Sequence, residues 1–256
     1  MKLVMLGWIF SMAATAGLLA GEERKVTFHD VRFRTYEIDP SKEKLELIWR
    51  DEKGKPYKNL RTAQKAFAAK GRPLKFITNG GIYETDGKPL GLHVEEGIEL
   101  VPLNKKFVKD GQPGWGNFYL EPGGVFSLDQ DGKATVEETR AYARKKSAVP
   151  PRIACQSGPI LVHRGEIHRK FRKGSKNVRY RNGVGVRKDG SIVFAICADG
   201  EVVNLHSFAE LFHDRLGCPS ALFLDADVSK MEVNPKERPV SSAGTFAAMF
   251  VITESD

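Results

Sequence analysis

Two stretches of the chain repeat their apolar residues at helical spacing. From Asn59 to Lys70, Leu60, Ala63 and Phe67 share one face, and Gly71 supplies the stop. Further on, Phe208, Leu211, Phe212 and Leu216 form a second stripe that ends at Gly217, with Ser207 to Glu210 spaced as a capping box. Most of the remaining apolar residues fall in short runs broken by turn residues. Asp131-Gly132 separates 124–128 from 134–138, Arg164-Gly165 separates 160–163 from 167–168, and Asp189-Gly190 separates 184–186 from 192–197. These are hairpin signals, so neighbouring strands are expected to run antiparallel. Regular alternation of strand and helix is absent, which argues against a doubly wound fold. The pattern predicts a single α+β domain over about 26–252, with an extensive, largely antiparallel or mixed sheet and a few packed helices.

The amino terminus stands apart. Lys2 precedes an apolar or small run from Leu3 to Leu19, with small residues at Ala14-Thr15-Ala16 and near Ala20. That is the outline of a secretory signal peptide over 1–20, and the mature protein is expected to be exported, periplasmic or secreted. The composition of the whole chain, 41% hydrophobic and 28% charged, suits a globular domain. Three cysteines, Cys155, Cys197 and Cys218, each sit among apolar neighbours. They allow one disulfide and no disulfide framework.

The net charge is +8, and seven basic residues with no acid lie in Arg169–Arg181, RKFRKGSKNVRYR. Such a run is either a solvated loop or an attractor of phosphate, in a substrate or in an anionic envelope polymer. No helix-turn-helix or aromatic-interleaved platform accompanies it, so nucleic acid is not an expected partner. No histidine and cysteine spacing matches a zinc site, and no glycine cluster has phosphate-loop spacing. No cofactor is expected. A metal requirement and the oligomeric state stay open.

Four segments are richer in glycine and small polar groups than turns need: KFITNGGIY (75–83), CQSGPI (155–160), RNGVG (181–185) and ALFLDADVS (221–229). Alternation in the last directs Leu222 and Leu224 to the core, and Phe223 and Asp225 to the opposite face, where a cleft is expected. Asp227 is expected to cap the following turn or reach solvent.

In order, NGGIY, Gly91-Leu92 with Glu95 and Gly97, GNFYL (116–120), QSGP (156–159), RNGVGV (181–186), FAELFHDRLGC (208–218) and ALFLDADVS resemble the phosphodiester glycosidase domain family. The resemblance runs over about 26–252. It implies cleavage of a sugar from a phosphodiester, a reaction whose phosphate leaves without protonation, so that one carboxylate at the anomeric carbon suffices. Asp225 is the candidate carboxylate and Glu95 the second. Arg181 is the candidate phosphate donor, since a planar fork grips two oxygens. Asn79, the amides of Gly80 and Gly81, Gln156, Ser157, Gly158 and Asn182 are candidates for holding the substrate, a sugar phosphodiester or other phosphate-bearing glycan. His206 is assigned to supporting a corner rather than to chemistry. Family members usually carry glycine after the aspartate, where this chain has Ala226. If that glycine supplies positive φ, alanine costs about 1 kcal/mol; if it admits a ligand, the methyl narrows the site. Two other readings stand beside hydrolysis: a catalytically impaired phosphosaccharide-binding protein of the same fold, and a basic envelope-surface protein.

Overall fold

A computed structural model describes residues 21–114, 116–145, 149–235 and 240–254; the expected signal peptide lies outside them. Among these residues the strands, in chain order, are β1 Glu23–Phe28, β2 Val31–Ile38, β3 Glu46–Ile48, β4 Leu74–Asn79, β5 His93–Glu95, β6 Ile98–Val101, β7 Gly124–Leu128 and β8 Ala134–Glu138. They continue with β9 Ile153–Ser157, β10 Ile160–His163, β11 Glu166–Ile167, β12 Asn182–Val186, β13 Ile192–Cys197, β14 Ser220–Asp225, β15 Met231–Val233 and β16 Met249–Thr253. The helices are α1 Leu60–Ala69, α2 Thr139–Arg144 and α3 Leu205–Glu210.

The strands form three sheets, ordered β1-β2-β13-β12-β14-β10-β11, β15-β4-β16-β3 and β6-β5-β9-β7-β8. Every pairing between named strands is antiparallel, as the hairpin signals require. All three sheets contribute to one central core that includes Tyr36, Phe76, Phe126, Phe194, Leu222 and Phe250. A second apolar layer lies on the outer face of the seven-stranded sheet, where Phe208 and Phe212 pack on Phe33, Val193 and Phe223. Helix α1 covers the outer face of the four-stranded sheet with Leu60, Ala63 and Phe67.

Both helix stripes are real, but one cap differs from expectation. Asn59 caps α1 by accepting from Thr62 N at 2.9 Å, and Gly71 ends it with φ +70°. Helix α3 starts two residues before the expected box. Its cap is Asn204, whose Oδ1 accepts from Ser207 N at 2.9 Å. Glu210 turns instead to His206 at 3.2 Å, the corner support expected of that histidine. The helix then widens over Leu211–Arg215 and ends at Gly217, φ +69°.

Helix α3 and its extension sit so close to β12 that a side chain on Gly185 would meet Cys218 Sγ and Phe212 Cδ1, each at 2.7 Å. This glycine therefore serves helix–sheet packing rather than a ligand. The cover also explains the ALFL run. Leu222 and Leu224 enter the central core while Ala221 and Phe223 enter the layer under α3. A strand buried on both faces reads as continuously apolar. Phe223 is thus not on a cleft face, a correction to simple alternation. The three thiols are free and buried, with Cys155 pushed up to about 12 and Cys197 to about 11, chiefly by burial.

Candidate active site

Three antiparallel strands from two sheets end together here. Strand β4 delivers Asn79, β12 opens with Asn182 and β14 closes with Asp225; Asn182 and Asp225 are register partners at a bulge. Two carboxamides lock the ends. Asn182 Nδ2 donates to Asn79 Oδ1 at 3.1 Å and to Asn79 O at 3.2 Å. Asn182 Oδ1 accepts from Asp225 N at 2.8 Å and from Ser229 Oγ at 3.0 Å. Asn79 Oδ1 also accepts from Lys230 N at 2.9 Å. A carboxamide offers an acceptor and two donors from one planar group, so two facing asparagines can satisfy several backbone groups where sheet pairing stops. Asn79, Asn182 and Ser229 are all buried.

The CQSGPI segment joins from the third sheet. Ser157 Oγ donates to Leu224 O at 2.9 Å, one residue before Asp225. Gly81 lies against the same strand: its N–H donates to Cys155 Sγ at 3.2 Å, and a side chain there would come within 2.5 Å of Gln156 O. That close approach is the physical need for glycine in NGGIY. Gly80 N donates to Ala248 O at 2.8 Å, and Gly158 leads the Gly-Pro turn from β9 to β10. Gln156 is wholly engaged: Oε1 accepts from Leu92 N at 2.9 Å and Asn104 N at 2.8 Å, while Nε2 donates to Asn104 O at 2.8 Å. The side chains of Asn79, Asn182, Gln156 and Ser157 therefore build the site's frame; their hydrogen bonds go to protein.

Asp225 is different. One carboxylate oxygen accepts from Ala226 N at 2.8 Å, and Oδ2 is buried with no hydrogen-bond partner. Burial pushes its pKa up to about 6; the Ala226 amide opposes the rise and the Asp227 carboxylate adds to it. Among the described residues no ion pair holds it. Tyr83 lies near enough that burial first, and then the charge of Asp225, push its phenol above the ordinary range. Tyr83, Ser229 and Lys230 are neighbours that the sequence reading did not assign. Their signal was position alone: Tyr83 and Ser229 end NGGIY and ALFLDADVS, and Lys230 follows the latter.

Two expectations are revised by the geometry. Arg181 makes no ion pair or hydrogen bond with Asp225 among the described residues: Nε donates to Val203 O at 2.7 Å, Nη2 to Asn177 O at 3.2 Å, the guanidinium lies 5.5 Å from the centre of the Phe223 ring, and Nη1 is buried without a partner. It is 1% exposed, and burial lowers its pKa to about 10. Its neighbour in the chain faces the other side of the sheet, and it is that neighbour, Asn182, that reaches the site. Glu95 is bound to His93 Nε2 at 2.6 Å, beside the turn at Glu96 (φ +45°) and Gly97 (φ +81°). It is a paired hairpin acid and not an isolated carboxylate.

Ala226 does not adopt a left-handed backbone. Its carbonyl accepts from Ser229 N at 2.9 Å, and its methyl packs against the layer under α3 with Ile82. Alanine is therefore unstrained. Asp227 is exposed, 3.8 Å from Arg179. Among the described residues no three of His, Cys, Asp or Glu stand close enough together to hold a metal ion.

The antiparallel three-sheet fold, with four of the ordered motifs joined at the Asp225 strand end, defines a family. The chain belongs to the phosphodiester glycosidase family, whose model matches residues 73–244. It is 30% identical over 198 residues to YigE, an uncharacterized protein of Escherichia coli (strain K12), covering 77% of this chain and 73% of that one. In fold it is similar to the zebrafish N-acetylglucosamine-1-phosphodiester alpha-N-acetylglucosaminidase catalytic domain, auto-inhibited by its pro-peptide. That likeness has a TM-score of 0.61 and 16% identity, over 91% of this chain and 82% of that one. A putative exported protein of Burkholderia pseudomallei is similar too, with a TM-score of 0.55 and 12% identity, over 88% and 74% of the two chains.

Proposed function

We propose that this protein is an exported hydrolase that cleaves a sugar-1-phosphodiester, or a related phosphate-bearing glycan of the cell envelope, with Asp225 as the reacting carboxylate. The observation that carries this reading is the unpartnered, desolvated Oδ2 of Asp225 at a strand end held by Asn79, Ser157, Asn182 and Ser229. A carboxyl titrating near 6 is mostly ionised at neutral pH and more basic than an ordinary aspartate, which suits a nucleophile or general base. The frame of Asn79, Asn182, Ser157 and Ser229 fixes the strand end that bears it, as positioning chemistry demands. A phosphate leaving group removes the need for a paired general acid, consistent with Glu95 being engaged by His93. The activity named for the zebrafish domain makes N-acetylglucosamine the first sugar to try.

Export is supported by the apolar segment after Lys2. Contact with anionic envelope polymer is supported by Lys170, Arg172, Lys173 and Lys176, which are exposed and have no carboxylate partner among the described residues. Release of sugar from a panel of sugar-1-phosphodiesters, by wild type and Asp225→Asn, tests the reading. Turnover is expected in the wild type alone. Saturable binding without release from any member would replace hydrolysis with the phosphosaccharide-binding reading.

A further inference from the structure

Asp225 sits at one end of the seven-stranded sheet, and the loops at that end share an unusual surface. Strand β12 runs antiparallel to β13 and β14, so its first residue lies beside their last. The connections at this end are therefore the segment before Asn182, the one after Cys197 and the one after Asp225. Each carries an exposed valine: Val178 at 41%, Val202 at 46% and Val228 at 40%. The three connections are tied together. Arg179 and Val203 exchange backbone hydrogen bonds of 3.1 and 2.9 Å, and Arg179 Nε lies 3.8 Å from Asp227 Oδ2. Each valine is the chain neighbour of one of these tied residues. A lone exposed valine needs no explanation, but three on adjoining loop tips make a small apolar patch.

The patch is flanked by charge of one sign. The first connection brings Lys170, Arg172, Lys173 and Lys176, all exposed and without a carboxylate partner among the described residues. Two of the acids on the other connections are answered by cations: Asp227 faces Arg179, and Glu201 meets Arg32 at 2.5 Å. Asp199 is exposed and has no ion pair among the described residues.

We propose that this end of the sheet docks on an anionic phospholipid bilayer, with the three valines set among the headgroups and the basic run held against the lipid phosphates. Lysines alone suit any polyanion, the envelope polymer included. Apolar loop tips gain affinity only where a non-aqueous phase meets them. Each Lys or Arg close to an anionic bilayer contributes about 5-fold in affinity, so four of them with three valines suffice for reversible binding. No spanning helix is needed, and among the described residues no helix is long and apolar enough to cross a membrane. Docked this way, the strand end that bears Asp225 faces the bilayer surface. The docking goes beyond the hydrolase reading and is independent of turnover.

Co-sedimentation with extruded vesicles tests this on the mature protein, free of the apolar segment 1–20. Binding is expected to vesicles of equal parts phosphatidylcholine and phosphatidylglycerol, and at least ~10-fold more weakly to phosphatidylcholine alone. Lys173→Glu with Lys176→Glu should weaken it at least ~25-fold. Val178→Ser, Val202→Ser and Val228→Ser combined, all on the surface, should weaken it at least ~10-fold. The same variant should bind dextran sulfate, a soluble polyanion, as wild type does. Tryptophan emission should shift to the blue on the mixed vesicles in Val202→Trp and not in Lys188→Trp, beside the turn at the opposite end of the sheet. No binding to the mixed vesicles, or no blue shift in Val202→Trp, would overturn the proposal. So would a valine variant that binds those vesicles as wild type does, and with dextran sulfate still bound it would assign the basic run to a polymer instead.

Discussion

Replacing Asp225 with asparagine should make the protein more stable while removing its activity. The folded carboxyl titrates at about 6 against an ordinary 3.8. At about 1.4 kcal/mol per pH unit, holding it ionised costs the fold about 3 kcal/mol. The sign follows from which state binds the proton more tightly. Below pH 3.8 the group is neutral folded and unfolded, and there is no penalty. Between 3.8 and 6 the unfolded chain ionises first, so stability falls as pH rises; above 6 the loss is complete. Asparagine is neutral throughout. Its Oδ1 can still accept from Ala226 N, but its amide N–H would replace an oxygen that has no partner, at a cost of about 1 kcal/mol. The net gain at pH 7.5 is then about 2 kcal/mol, or about 4–8 °C in Tm for a domain of this size. It should shrink to nothing, or reverse slightly, near pH 4. Thermal unfolding of both proteins from pH 4 to 8 measures this directly. A variant no more stable than wild type at pH 8, or a difference that ignores pH, would refute the desolvation of Asp225. Turnover on a confirmed substrate should fall at least ~100-fold in the same variant.

Asn182→Ala removes an acceptor from Asp225 N and Ser229 Oγ and a donor to Asn79, and should cost about 3–5 kcal/mol in urea unfolding. Gly81→Ala forces a methyl to within 2.5 Å of the Gln156 carbonyl, so a loss of about 1–3 kcal/mol is expected, with turnover falling as the site shifts. Ala226→Gly should keep activity within a few-fold but lower stability by about 0.5–1 kcal/mol, because no left-handed conformation is there to relieve; a rise in stability would show that the alanine is strained.

Much of this molecule is written locally. Gly71 and Gly217 end helices because a left-handed residue there costs glycine nothing, and three short turns fix three hairpins. The ordered motifs pointed to the family, and they also marked the segments that come together around Asp225. What a linear reading lacks is the partner of each face. ALFL cannot reveal from its own alternation that α3 covers Phe223, since a strand buried on both sides presents no polar face. Nor can it say which of Arg181 and Asn182 turns toward the site, because successive residues point to opposite sides and only the sheet order says what each side meets. Asparagine at 79 and at 182 reads as turn chemistry; packed face to face across 103 positions of sequence, the two become the clamp that holds the strand ends. The same holds for the carboxyl group. Sequence supplied an aspartate at the end of an apolar run. Only the tertiary structure buried one of its oxygens without a partner, since desolvation depends on which remote atoms exclude water.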